Sequence, residues 1–323
     1  ITGGTVLATA TNEQTPVSLK WTLPASTIPF NFNFNGIDNT GCTIYSNGFL
    51  TFGTTEASAT STTPLSESTA YSGAISAWTG SSCGVHIPGL ITSEASWKVV
   101  GTAPNREFVI QFKDWRSVFA TSVTDVAFVN FQIRLVETTN QIKIVYGPNG
   151  YKIGSAAYTG TRQIGIRGAT NTDYKNRTNS TTQIVTASVE GTSNSVTQSI
   201  NTSVATPGMP TNGLVYTYTP PVACTGTPLA TTVLPSNQNL NTSQASVPLV
   251  IQQYAEGISG LTYQWEQSTD GGTTWANVTT GTGGTTRIFT PAAFLGTNIS
   301  YRAKVTCTAS SLFAYSTIST ITN

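Results

Sequence analysis

Residues 107–113 read EFVIQFK, and their alternation decides the class of fold. Phe108, Ile110 and Phe112 share one side of an extended chain, while Val109 and Gln111 share the other. A period of two is the pattern of a half-buried strand, because successive side chains leave a pleated backbone on opposite faces. The pattern recurs at 129–137, VNFQIRLVE, with Val129, Phe131, Ile133 and Leu135 inward. It recurs again at 141–147, QIKIVYG, with Ile142, Ile144 and Tyr146 inward. Asn35-Gly36, Asn47-Gly48 and Asn149-Gly150 punctuate such runs, and Asn-Gly suits hairpin turns that need positive φ. No stretch carries a convincing amphipathic helical period. The expectation is an all-β chain built from antiparallel sandwiches.

Composition narrows the function classes. Only 9% of the 323 residues are charged, and the net charge is +1. No basic field exists to attract nucleic acid or an anionic membrane, and neither is an expected partner. No apolar run approaches the roughly 20 residues of a membrane-spanning helix. Solubility falls to Thr, Ser and Asn. The sequence opens at Ile1 within a strand-like run, which reads as a processed or excised piece.

The domain boundary is placed near residue 220. In NGLVYTYTPPVACTGTPL a strand runs into Pro220-Pro221, and two prolines end a strand and stiffen the linker after it. Residues 1–220 are expected to form a large, jelly-roll-like antiparallel β-sandwich. Residues 221–323 have the size of a smaller, Ig-like sandwich. There are four cysteines, Cys42, Cys83, Cys224 and Cys307, and one histidine, His86. With no C-x-x-C pair, zinc is not expected. An even cysteine count in a Thr-rich β-protein points to an oxidising, extracellular setting. Of the three possible pairings, the domain division favours Cys42–Cys83 and Cys224–Cys307.

The phrases GGTVLATATN, IPFNFNFNG, YSNGFLTFG, GTAPNREFVIQFKDW, FQIRLVETTNQIKIVYG, QIGIRGATNTDYKNRT and GLVYTYTPP run in order through residues 1–220. Together they resemble the sandwich domain at the front of large secreted proteins of the Bacteroidota, exported by type IX secretion. CTGTP, LTYQWEQSTDGGTTWANV and YRAKVTCTAS resemble the Ig-like modules that often follow. The resemblance implies display on the bacterial cell surface. Such modules often carry a further Cys on an early strand, where this chain reads SQASVPLVIQQY. That difference also leaves Cys224 as the partner of Cys307.

Residues 264–278, QWEQSTDGGTTWANV, contain Ser268, Asp270, Gly272 and Trp275 in the S-x-D-x-G-x-x-W spacing of an Asp-box. Several such boxes mark propeller glycosidases, but one box without a blade repeat is a fold element. In an Ig-like module Trp265 is the core tryptophan. Asp270 and Gly272 then build the hairpin turn, and Trp275 packs across it.

No catalytic constellation stands out. His86 lies in CGVHIPG, and a triad needs more than abundant serines near one His. Glu107 and Asp114 are too far apart along an extended chain for a carboxylate pair. Asp38, Asp125 and Asp173 sit in turn-like contexts, without the D-x-D-x-D spacing of a calcium loop. GTGGTT at 281–286 lacks the lysine of a phosphate-binding loop. No cofactor is expected. N-x-S/T sequons begin at Asn176, Asn179, Asn201, Asn241, Asn277 and Asn298. In so Ser/Thr-rich a chain their number is that of chance. Trp78, Trp97 and Trp115, with Tyr71 and Tyr151 near loops, are candidate platforms for stacking neutral glycans, against the alternative that they cap the core.

These observations lead to a non-catalytic extracellular adhesin or recognition module acting through β-sandwich contacts. The competing expectation is a structural subunit of a surface filament or layer. A glycan-binding accessory of a carbohydrate-active enzyme is a distant third. The expected partners are further copies of the chain, neighbouring surface proteins, or neutral glycans.

Overall fold

A computed structural model describes residues 1–9, 19–79, 93–116, 128–150, 152–153, 156–157, 159–178, 188–195, 198–201, 209–252 and 258–323. Cys83, His86, Asp125, Tyr151 and Asn179 lie outside these residues. Among the described residues there is no helix; strands and turns account for the regular structure. The chain divides into two compact units, Ile1–Thr219 and Pro220–Asn323.

The first unit is a sandwich of two antiparallel sheets. From edge to edge, one sheet runs Thr5–Thr9, Glu94–Val100, Glu107–Arg116, Phe128–Val136, Ile142–Tyr146, Val215–Tyr218. The registers explain the alternation of the sequence. Phe108 faces Leu135, Ile110 faces Ile133, Phe112 faces Phe131, and Ile133 also faces Ile144. All of these side chains are buried in one cluster. Each stabilises the fold by about 1.5–3 kcal/mol relative to exposure.

The second sheet runs Val189–Glu190, Tyr174–Thr178, Thr159–Arg167, Ala74–Thr79, Phe49–Thr51, Cys42–Tyr45, Lys20–Leu23, with Gln198–Asn201 also paired to Thr159–Arg167. It contributes Ile44, Leu50, Ile75, Ala77 and Ile164 to the same core. Hydrogen bonds tie the sheets together; Tyr146 Oη donates to the Ala77 carbonyl at 2.6 Å, and Trp115 Nε1 to the Ser46 carbonyl at 2.7 Å.

The opposite face of the second sheet is also covered. A strap, residues 52–73, encloses a separate cluster of Tyr45, Phe49, Ala57, Tyr71 and Ala74. The strap is irregular, so its backbone polar groups need side-chain partners. Arg167, fully buried, supplies three. Its guanidinium donates to the carbonyls of Pro64 (3.0 Å), Glu67 (2.8 Å) and Thr69, and its carbon lies 4.6 Å from the Tyr71 ring centre. Gln163 accepts from Leu65 N and donates to Ser66 Oγ, each at 2.9 Å. Asn47 Nδ2 donates to the Ser61 carbonyl at 2.7 Å.

The Asn-Gly pairs at 35–36, 47–48 and 149–150 differ. Asn35 (φ 51°) and Gly36 (φ 82°) form a two-residue turn with positive φ at both centres, joining Phe32–Phe34 to Ile37–Asn39. At Asn47-Gly48 only Gly48 has positive φ. Gly150 is no hairpin tip: it forms a bridge with Phe128.

The second unit is a smaller sandwich. Three short strands, Val233–Leu234, Leu249–Ile251 and Ile288–Phe289, form one sheet. The other runs Asn237–Asn239, Ser319–Thr322, Ile299–Cys307, Leu261–Ser268, Ala276–Asn277, with Phe313–Tyr315 also on Ile299–Cys307. Val233, Leu249, Ile251 and Phe289 pack against Trp265, Tyr301, Ala303, Val305 and Ile321 between them. Trp265, 0% exposed, stacks on Phe289 at 5.5 Å and donates from Nε1 to the Thr286 carbonyl at 2.9 Å. Two pairs depart from the antiparallel expectation: Asn237–Asn239 with Ser319–Thr322, and Val222–Ala223 with Ile258–Ser259, are parallel.

The sequence-based expectations for Trp78 and Trp115 need correction here. Trp78 and Trp115 are 3% and 5% exposed and belong to the core, so neither ring offers a face to a sugar. The cause is that Ala74–Thr79 is buried on both faces and Trp115 reaches across the sandwich. Trp97 is half-buried and stacked on Phe108 at 5.2 Å, packing that takes up one of its faces. Cys42 is a free, buried thiol in the core, and Cys83, the partner expected for it, lies outside the described residues. Burial pushes the Cys42 thiol up to about 12, so it packs as a small apolar side chain. Cys224 and Cys307 are joined by a disulfide.

Candidate recognition surface

The Asp-box hairpin is built from the ends of two strands. Ser268 closes Leu261–Ser268, and Gly271 (φ 72°) and Gly272 (φ 90°) adopt the left-handed backbone that reverses the chain. The Asp270 carboxylate accepts from Thr274 Oγ1 (2.6 Å), from the backbone N of Thr274 (2.9 and 3.0 Å), from Ser268 Oγ (2.7 Å) and from Thr273 N (3.0 Å). These donors, Thr274 first among them, hold its carboxyl well below the usual carboxylate range. A carboxylate so saturated organises a turn and has no lone pair left over for proton transfer. Trp275 Nε1 closes the hairpin on the Gly272 carbonyl at 2.9 Å.

The hairpin delivers Trp275 to the outer face of the sheet. Because Trp265, Ala303 and Val305 point inward, Glu266, Gln264, Arg302, Lys304 and Thr306 point outward. The register sets Glu266 opposite Arg302, Gln264 opposite Lys304, Lys304 opposite Tyr315, and Thr306 opposite Phe313. Arg302 is held between two rings, 4.2 Å from the centre of Trp275 and 3.7 Å from that of Tyr315. Its Nε donates to Glu266 at 2.7 Å. Lys304 Nζ lies 4.1 Å from the Phe313 ring centre, and Phe313 meets Tyr315 edge-on at 5.5 Å. Phe313 is 44% exposed. The result is an ordered row of aromatic rings and cations at the surface of the second unit.

The other sequence-marked acids are placed apart. Glu107 is ion-paired with Arg134 and Lys143 at 2.8 Å each, on the outer face of the first sheet. Asp114 accepts from Asn130 Nδ2 at 3.1 Å. Asp38 accepts from Asn33, and Asp173 from Asn35. Among the described residues no group of three His, Cys, Asp or Glu side chains could hold a metal ion. Asn176 is buried and donates to the Ser193 carbonyl, so its sequon is closed to modification in the folded protein.

Sequence reasoning assigned Trp275 to the turn and overlooked the row it joins. The signal was present in YRAKVTCT and FAY: Arg302, Lys304 and Thr306 alternate with buried residues, and Phe313 and Tyr315 are two apart on their strand. The pairing of these strands, which stacks the side chains, is not written in either one.

Two β-sandwich units without a helix among the described residues make this an all-β, multi-sandwich protein. The chain belongs to the NIDO-related family, whose model matches residues 1–220. Residues 230–323 match a second model, described as Domain of unknown function (DUF8696). No curated protein matches the chain. A NIDO-related domain suggests an extracellular, adhesion-like module, and the Cys224–Cys307 disulfide accords with that setting.

Proposed function

We propose that the chain is a non-catalytic recognition module that adheres through the outer face of its second unit. The observation that carries this reading is the row Trp275, Arg302, Tyr315, with Lys304 over Phe313 beside it. Aromatic rings held by cations at a surface are preorganised, so little conformational entropy is lost when a partner covers them. Aromatic and Arg side chains are also those that dominate binding energy in interfaces. The sequence resemblance supports display on a bacterial surface of the Bacteroidota type, reached by type IX secretion. A net charge of +1 also permits close packing of many copies, which favours the competing reading of a surface filament or layer.

Binding to a glycan array and to immobilised surface proteins tests the proposal. Trp275→Ala and Phe313→Ala should each weaken binding at least ~10-fold, typical of interface anchors, while both units stay folded. A chain that binds nothing and turns over a substrate refutes it. Growth of ordered polymers with concentration, unaffected by these substitutions, replaces it with the filament reading.

A further inference from the structure

We infer that this face takes a carboxylate-bearing saccharide, its acid group on Lys304 and its sugar ring against Phe313. The inference rests on the proposed recognition role and adds the chemistry of the ligand. Charge bookkeeping on the face leads to it. Arg302 and Glu266 neutralise each other at 2.7 Å. Lys304 has no carboxylate partner among the described residues. Its cross-strand neighbours are Gln264 on one side and Tyr315 on the other, neither of them a carboxylate, and Arg302 on its own strand is a like charge. One net positive charge is therefore fixed on an aromatic surface, and an anion is the complement it lacks.

The rest of the face describes the body that carries the anion. Phe313 is flat, apolar and 44% exposed, suited to the C–H face of a sugar ring. Gln264, Thr262 and Thr306 around Lys304 offer neutral donors and acceptors to hydroxyl groups. A single ammonium acts as a point charge and matches one carboxylate; a phosphate is better met by a fork of Arg donors, and here the Arg of the face, Arg302, is already charge-paired through Nε with Glu266 and held between Trp275 and Tyr315. A polyanion such as nucleic acid needs many cations, which this chain lacks.

The test uses the full chain, with oligosaccharides of polygalacturonate and of polysialic acid as probes. Their methyl esters serve as uncharged matches, and polyglutamate as an acidic polymer without sugar rings. Calorimetric or surface-plasmon titration should show at least one free acid binding ~10-fold or more tightly than its ester, a ratio set by one charge-assisted contact. Lys304→Gln should erase that preference, and Phe313→Ala should weaken acid and ester together. Far-UV dichroism and the melting of each variant confirm folding. Equal binding of acid and ester, lost in Phe313→Ala, overturns the inference and leaves the recognition role standing. Polyglutamate binding as tightly as the saccharides overturns it in favour of an acidic protein partner. Binding by none of the probes overturns it, and the array then decides the wider role separately.

Discussion

At the scale of single residues, Trp265 and Asp270 lie five positions apart and do different work. Trp265 fills the centre of a small core, and Trp265→Ala should cost about 3–5 kcal/mol through the cavity it leaves, read as a lower urea midpoint for the second unit. Asp270→Ala removes only a surface turn's acceptor and should cost less than Trp265→Ala in the same assay. The pH dependence of that smaller loss is fixed in sign. A depressed folded pKa means that the stabilisation is complete above the unfolded value, near 3.8, and is lost as the pH falls through the lower folded one. The gap between the native protein and Asp270→Ala should therefore be flat from pH 7 to about 5 and narrow only in stronger acid. Both roles were legible in QWEQSTDGGTTWANV, because turn chemistry is local. The role of Trp78 and Trp115 was not, since whether a ring caps a core or faces water depends on what crosses it. Trp115 joins the core and donates to the carbonyl of Ser46, 69 positions away.

At the scale of elements, period-two alternation carried the information. The pairing of residues 107–112, 131–136 and 142–146 follows their inward Phe, Ile and Leu residues, and a bulge before Trp115 breaks the period. The strap at 52–73 left no such trace, because its order comes from long-range side chains rather than from its own pattern. Arg167 is its main anchor. Arg167→Met keeps an apolar stem on Tyr71 but leaves the carbonyls of Pro64, Glu67 and Thr69 without this donor. The expected cost is about 2–4 kcal/mol, since hydrogen bonds to a charged donor are the stronger kind and buried acceptors are left unpaired. Amide hydrogen exchange should localise the loss to the strap, with the sheet amides of Phe108–Phe112 still protected. Uniform loss across the first unit would show that the strap and the sandwich fold as one.

At the scale of the whole molecule, two cores with no common member predict two unfolding transitions. Only one should respond to reductant. Cys224 and Cys307 are 83 positions apart, and opening a loop of that length should cost the second unit about 4 kcal/mol. Calorimetry with and without dithiothreitol should move one transition and leave the other in place; movement of both would contradict the division into two units. The same bridge has a consequence for survival among proteases. A cut anywhere between residues 224 and 307 severs the backbone but releases nothing, because the fragments stay covalently tied. A nicked chain should run as intact protein on a non-reducing gel and as two pieces on a reducing one. On a surface exposed to hydrolytic enzymes, the face that carries Trp275, Lys304 and Phe313 would remain anchored through a first injury.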